Sequence, residues 1–246
     1  MIDKVFIAPK GDDLGGVLAL ATETGTHVEL ATFMQAQALD ANELEAKRLN
    51  GALEGFRNQV SLHGPVYDLN PASLDPAVAK HSRKRYRQAA EAALAVQARY
   101  LVFHSQWSPI YHVATCYEAW LAATAEAYKD LVETLVQDTR LTLLIENFMD
   151  ETPQVLNDLV NAIGSPHVRA CLDVGHVNLF SRLSPIDWFD QLGNNVAYIH
   201  AHNNGGSQDD HGAFASGTID MEGFLNHVSL SPYRTNLAVE VNDMQG

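Results

Sequence analysis

The chain has 246 residues, 46% of them apolar and 19% charged, with no apolar run approaching the length of a membrane span. That balance describes a globular protein with a sizeable core and excludes a membrane-spanning helix. Thirty acidic residues against sixteen basic ones give a formal charge of −14, a field that repels polyanions and offers no counterion release, so nucleic acid is disfavoured as a partner.

A chain of about 250 residues is the usual size of one α/β barrel. The opening Met1–Ala8 stretch reads as a strand and is too short and too charged for the apolar region of a signal peptide. Cys116 and Cys171 show no C-x-x-C spacing, so a disulfide is not expected and a reducing, cytoplasmic setting is. Along the chain, short β-branched or apolar runs alternate with longer stretches of helical period, the signature of repeated βα units. Strands are predicted near 3–8, 27–31, 58–63, 99–104, 141–146, 167–173, 196–201 and 235–240. Between 112 and 140, apolar residues at three-and-four spacing predict a crossover helix with Trp120 and Tyr128 in the core. Between 76 and 97 a second helical pattern carries Lys80, Arg83, Lys84, Arg85 and Arg87, read as a solvated outer face. The stretch 202–220, rich in Asn, Gly, Asp and His, is the longest irregular segment, and loops of that length inside a compact domain are usually functional. Only six residues follow the eighth strand. The expectation is a single (β/α)8 barrel over 1–246 with a short or missing final helix.

The ionisable residues fall at one end of this pattern. His63, His104, Glu146, Asp173, His200 and Glu240 each end a predicted strand, from the third to the eighth, and His176 lies just beyond the sixth. In a parallel barrel these ends share one face, where the βα loops build the active site. Asp209 and His211 join the rim from the long loop. Five of the eleven histidines thus meet two Asp and two Glu; imidazole with carboxylate and no thiolate suits zinc, manganese, iron or cobalt better than calcium or magnesium. His27, His81, His112, His167 and His227 are read as structural or exposed, whereas His202 stays ambiguous. No G-x-S-x-G, G-x-x-x-x-G-K-[ST] or G-x-G-x-x-G element occurs, so nucleophilic-serine, P-loop and dinucleotide chemistries lack their minimal parts.

Leu62-His63-Gly64-Pro65, Val102-Phe103-His104, Ile145-Glu146-Asn147, Cys171-Leu172-Asp173-Val174-Gly175-His176, His200-Ala201-His202-Asn203, Asp209-Asp210-His211 and Gly217-Thr218-Ile219-Asp220 together resemble the xylose isomerase-like TIM barrel superfamily. That group holds sugar isomerases and epimerases and also the endonuclease IV type of apurinic endonuclease. The resemblance implies a metal site of Glu146, Asp173, His200 and Glu240, with the two glutamates as acid/base pair. It also implies two further metal positions, His63 and His104 with Glu146 as bridge, then His176, Asp209 and His211. Two departures stand in the loops: Asn203 replaces the family's Asp after His200, and Ala215-Ser216-Gly217 replaces Gly-Glu-Gly. The primary expectation is a cytoplasmic sugar isomerase or epimerase carrying one to three Zn, Mn or Co ions. In it the metal stabilises an enediolate, Trp107 and His176 contact the substrate, and the chain is free to form a homo-oligomer. The alternative is a multinuclear zinc phosphoesterase of the endonuclease IV type.

Overall fold

The computed structural model describes residues 1–9, 13–112 and 116–242. Eight parallel strands close into a barrel in chain order, each paired with its sequence neighbours and β1 with β8. They are β1 (Ile2–Ile7), β2 (His27–Leu30), β3 (Val60–His63), β4 (Tyr100–His104), β5 (Thr142–Glu146), β6 (Val168–Asp173), β7 (Val196–Ala201) and β8 (Thr235–Val239). All eight predicted strands are present, most with one or two residues trimmed at an end. The barrel is wrapped by α1 (Leu14–Thr24), α2 (Ala36–Asp40), α3 (Asn42–Ala52), α4 (Pro76–Ala95), α5 (Cys116–Leu131), α6 (Gln154–Ile163), α7 (Val174–Phe180), α8 (Pro185–Leu192) and α9 (Met221–Leu230). No helix among the described residues is long and apolar enough to cross a membrane. Residues 240–242 form no helix, and the rest of the segment expected to lack a final helix lies outside the described residues.

Alternation along the strands divides the core in two. Outward residues such as Val28, Leu62, Phe103, Ile145, Leu172 and Ile199 pack against the helices, while Phe6, Val102, Leu144, Cys171, Tyr198 and Ala238 fill the interior as a separate, fully buried cluster. The next inward position on six strands is Glu29, His104, Glu146, Asp173, His200 or Glu240, and His63 follows Ser61 inward on β3. An apolar plug therefore floors a polar mouth, because a side chain two residues along a strand returns to the same face.

Local signals set the helices. Asp75 accepts a hydrogen bond from Ala77 N (2.8 Å) ahead of Pro76, Ser184 and Asp187 close a capping box on α8, and α6 stops at Gly164 in the left-handed region. The α5 pattern runs on after Leu131 as a π-turn, Val132–Val136; Trp120 and Tyr128 are buried as expected, and Val113 of that predicted pattern lies outside the described residues. Of the α4 cations, Lys80 and Lys84 are exposed as expected, whereas the three arginines are paired. Arg85 is buried and pairs with Asp40 at 2.6 Å, while Arg83 and Arg87 reach Glu126 and Asp130 on α5. The helix face thus holds its neighbours rather than facing water alone, as a basic stripe beside acidic helices will. Because Leu144 lies in the plug directly below Glu146 on β5, Leu144→Ala should destabilise the fold by about 2–5 kcal/mol, read as a lower urea midpoint with an unchanged slope.

Candidate metal centre at the barrel mouth

Five carboxylates (Glu29, Glu146, Asp173, Asp209 and Glu240) and six imidazoles (His63, His104, His176, His200, His202 and His211) converge at the carboxyl end of the strands. All nine residues expected as metal ligands are in this group. Glu146 is at its centre, and its two oxygens face different partners. Oε2 is 3.2 Å from His63 Nε2 and 3.4 Å from His104 Nε2; Oε1 is 3.3 Å from His176 Nδ1 and from His200 Nδ1. His200 Nδ1 also lies 3.5 Å from Glu240 and 3.9 Å from Asp173. On the outer side, Asp209 stands 2.9 Å from His211 Nε2 and 3.5 Å from His176 Nε2.

The tautomers decide what this geometry means. His63, His176 and His211 each place Nδ1 2.8–3.0 Å from a backbone carbonyl, of Gly64, Asn147 and Glu240 respectively. A carbonyl can only accept, so each Nδ1 carries the hydrogen and the neutral ring presents a lone pair at Nε2. Those lone pairs point at carboxylate oxygens. His200 makes the same case by another route: it is fully buried, carboxylates approach both ring nitrogens, and neither nitrogen makes a well-directed hydrogen bond. In a neutral ring that lone pair against a carboxylate is repulsive, so positive charge is required there, either a second proton on the imidazole or a bound cation, and no Lys or Arg lines the mouth among the described residues. The residues fit a divalent cation, with backbone carbonyls as the outer partners that commonly fix ligand histidines. Four groups of three residues (His63–Glu146–His200, Asp173–His176–His202, His202–His211–Glu240 and Glu29–His200–Glu240) bring their donor atoms within 4.8 Å of one another.

The proton affinities follow the same charges. Burial opposes ionisation of Glu146, yet His200, His104 and His176 outweigh it and hold that carboxyl well below the ordinary carboxylate range. Burial raises Glu240, and Glu29, Glu146 and Asp173 add to it against the pull of His200. Burial pushes His104 down to about 3, whereas carboxylates lift His63, His176 and His200 despite burial.

Backbone locks hold the ligands. Asn147 Oδ1 accepts from Asp173 N at 2.8 Å while its Nδ2 donates to Asp173 O at 3.0 Å, tying the ends of β5 and β6. Asp173 caps α7 through His176 N at 2.7 Å. Asn203 ties the loop together: its main chain bridges Gly212 in both directions, and its side chain bonds Asn204 N, Ile219 N, Phe214 O and Ile219 O. Gly217 takes φ +90°, and a Cβ there would meet Asn204 O at 2.4 Å.

Two residues of the centre are not assigned to it by the sequence. Glu29, inward on β2, places Oε1 3.1 Å from His200 Nε2 and accepts from Ser61 Oγ at 3.2 Å. His202 is fully buried with Nε2 3.2 Å from Asp173. Strand alternation carries the signal for Glu29, whereas His202 lies one residue past the end of β7. Trp107 lines the cavity as expected, yet it is buried in a cluster with Tyr111, Tyr117 and Trp120, so it is wall and core at once. The histidines read as structural or exposed stay outside the centre: His27 accepts from Gln59 N, His167 meets Leu141 O, His112 and His227 pair with Glu151 and Asp190, and His81 is exposed.

The family model described as xylose isomerase-like TIM barrel matches residues 18–245, and the chain belongs to this family. An uncharacterised protein of Methanocaldococcus jannaschii is 25% identical over 200 residues, 75% of this chain; the chain spans 65% of that relative's length. A D-tagatose 3-epimerase-like protein superposes with a TM-score of 0.79 at 21% identity, over 99% of this chain and 92% of its own. A Thermus thermophilus protein soaked with ZnCl2 gives 0.76 at 21%, over 98% and 93%.

Behind the centre, Asp150 is buried, accepting from Ser105 Oγ (2.6 Å) and Phe148 N (2.9 Å). Burial pushes it up to about 6 against those hydrogen bonds. The folded chain then binds a proton that the unfolded chain releases near pH 4, so this group's stabilising contribution is present at the acid end and disappears as pH rises through about 6. Asp150→Asn should accordingly gain stability relative to wild type between pH 5 and 7, measured by urea unfolding at both values.

Proposed function

We propose that this protein is a divalent-metal-dependent isomerase or epimerase of a small sugar or sugar-like polyol ketone. The observation that carries the reading is the pairing of Glu146 and Glu240. They come from strands on different sides of the mouth, approach the same His200 Nδ1 within 3.5 Å, and have proton affinities pushed in opposite directions. Carboxylates separated in this way suit one group to take a proton from carbon and the other to return it. Glu146, Asp173, His200 and Glu240 would hold the ion, with zinc, manganese and cobalt all matching these donors. When bound, such an ion supplies Lewis-acid stabilisation of negative charge on the sugar's oxygens. Glu29 sets the His200 ring, and Trp107 with Phe148 gives the cavity an apolar wall for the sugar's carbon face. The likeness to a D-tagatose 3-epimerase-like protein supports the substrate class.

A second reading, a multinuclear phosphoesterase, is favoured by one observation: Glu146 offers separate oxygens to two imidazole sets, as a bridging ligand would. The charge of −14 and a mouth without Lys or Arg among the described residues oppose it. The two are separated by incubating protein loaded with Mn, Co or Zn with a panel of ketoses and aldoses in D2O. Deuterium should enter the carbon beside the carbonyl, and Glu146→Gln or Glu240→Gln should slow that exchange by about 10²–10⁴-fold with the far-ultraviolet spectrum unchanged. No exchange on any sugar, together with Glu146-dependent cleavage of bis-(4-nitrophenyl) phosphate, would hand the site to the hydrolytic reading.

A further inference from the structure

We propose that the amino end of the barrel, opposite the mouth, carries a second binding site, built from Arg57, Arg99 and Arg140 and taking the phosphate group of a small ester. The inference goes beyond the sugar chemistry assigned to the mouth and does not rest on it.

A cavity of roughly 450 Å³ opens there, beside the carboxyl ends of α3 and α4 and the starts of β3, β4 and β5. Its ionisable lining is three arginines and no carboxylate, in a chain where acids outnumber bases thirty to sixteen. Arg57 lies ahead of β3, Arg99 ahead of β4 and Arg140 ahead of β5, so three separate connections deliver positive charge to one wall. Arg48, Arg83, Arg85, Arg87 and Arg234 all pair with carboxylates. Among the described residues Arg57, Arg99 and Arg140 have no such partner, although Glu54 and Asp138 are close to two of them in the chain. Arg99 is already held in place: it donates to Arg140 O and to Thr142 Oγ1 (3.0 Å), and its guanidinium stands 5.0 Å from the centre of the Tyr100 ring. Arg57 and Arg140 are exposed, which leaves two planar donor forks free to close on a ligand.

Arginines near helix ends often serve the last carbonyls, but here amides take them: Leu53 N donates to Leu49 O (2.9 Å), Val96 N to Ala92 O (3.0 Å) and Asn50 Nδ2 to Ala95 O (3.0 Å). The carboxyl-end dipoles of α3 and α4 oppose an anion, yet each amounts to only about half a negative charge against three full positive ones. The surplus of about two positive charges matches a phosphate monoester, which carries about −1.5 to −2 near pH 7. A single guanidinium fork satisfies a carboxylate, whereas three forks suit the several oxygens of a phosphate. The cavity falls within the range of about 300–1,000 Å³ typical of small-molecule sites, which leaves room for the body of an ester against Leu53 and Phe56. On the same wall Gln59 keeps a buried Oε1 that no described residue satisfies, an acceptor for one of the ester's hydroxyls. The three strands that start here end in His63, His104 and Glu146, so an occupant ties together the strands that hold the central carboxylate and two of its imidazoles.

The test is isothermal titration with glycerol 3-phosphate, D-glucose 6-phosphate and D-fructose 6-phosphate, beside inorganic phosphate and D-glucose, with hydrogen exchange followed on the protein with and without ester. At least one ester should bind more tightly than inorganic phosphate, weaken with added salt, and slow exchange across 57–60, 97–100 and 140–142; D-glucose, lacking the phosphate, reports on the mouth alone. Arg57→Gln and Arg140→Gln, both changes at exposed positions, should each weaken that ester roughly tenfold or more, and the double variant should lose it while keeping the thermal midpoint of the ligand-free protein. Glu146→Gln, at the mouth, should bind the ester as wild type does. Binding that survives the double arginine change, or that Glu146→Gln abolishes, would put the phosphate at the mouth and overturn the proposal. So would a wild type that takes up none of the three esters, and inorganic phosphate bound as tightly as any ester would overturn the choice of an ester. None of these readouts uses turnover, so a chain that inverts no sugar but loses the ester in the double variant would refute the isomerase reading and leave this one standing.

Discussion

The barrel mouth gathers five carboxylates whose ion-pairing partners among the described residues are histidines. Removing that many negative groups from water is costly unless each is paired and hydrogen-bonded. At least three of the imidazoles cannot act as neutral donors toward those carboxylates, because their hydrogens already go to backbone carbonyls. The need for positive charge is therefore fixed by the scaffold itself, through peptide carbonyls that no side-chain rearrangement can turn into donors. Everything else at this end of the molecule, from the Asn147–Asp173 amide lock to the Asn203 bridge, serves to keep mutually repelling groups in register.

That arrangement explains the division of the interior. The plug of Phe6, Val102, Leu144, Cys171, Tyr198 and Ala238 makes no use of charge and closes the barrel below the centre. Its low polarizability strengthens every electrostatic term above it. The opposite proton affinities of Glu146 and Glu240 are products of position: Glu146 has imidazoles on both oxygens, whereas Glu240 has one strong imidazole partner and three carboxylate neighbours. Two identical side chains acquire opposite proton affinities because the fold surrounds them differently.

Most of this is legible in the sequence because a parallel barrel converts a one-dimensional pattern into a face. Six strand ends bearing ligand-type residues must converge once the strands are recognised, and they do. Glu29 is hidden because its strand ends in Leu30, which places an inward carboxylate one residue before the boundary. His202 is ambiguous because it lies past the end of β7, where alternation no longer guarantees direction; the ring is directed by the space at Gly175, a contact between segments that spacing cannot express. Asp150 follows the same logic, since its buried state depends on Ser105 and the Phe148 backbone. The α4 arginines resemble a solvated face in the sequence because the acids that receive them sit on other helices.

The two proposed readings draw on nearly the same ligand set, so counting ligand-type residues does not discriminate between them. What discriminates is which positions are left open to solvent or substrate. A phosphoesterase needs a metal with a free coordination position beside the one that binds the leaving oxygen, and a rim that attracts phosphate. Here the outer carboxylate of Asp209 stands near three imidazoles, the rim carries no Lys or Arg among the described residues, and Glu146 and Glu240 both line the cavity, with Glu29, His63, His104, His176 and His211 beside them. That contrast is what weighs toward the proposed proton transfer between two faces of a carbon, a reaction that requires no activated water.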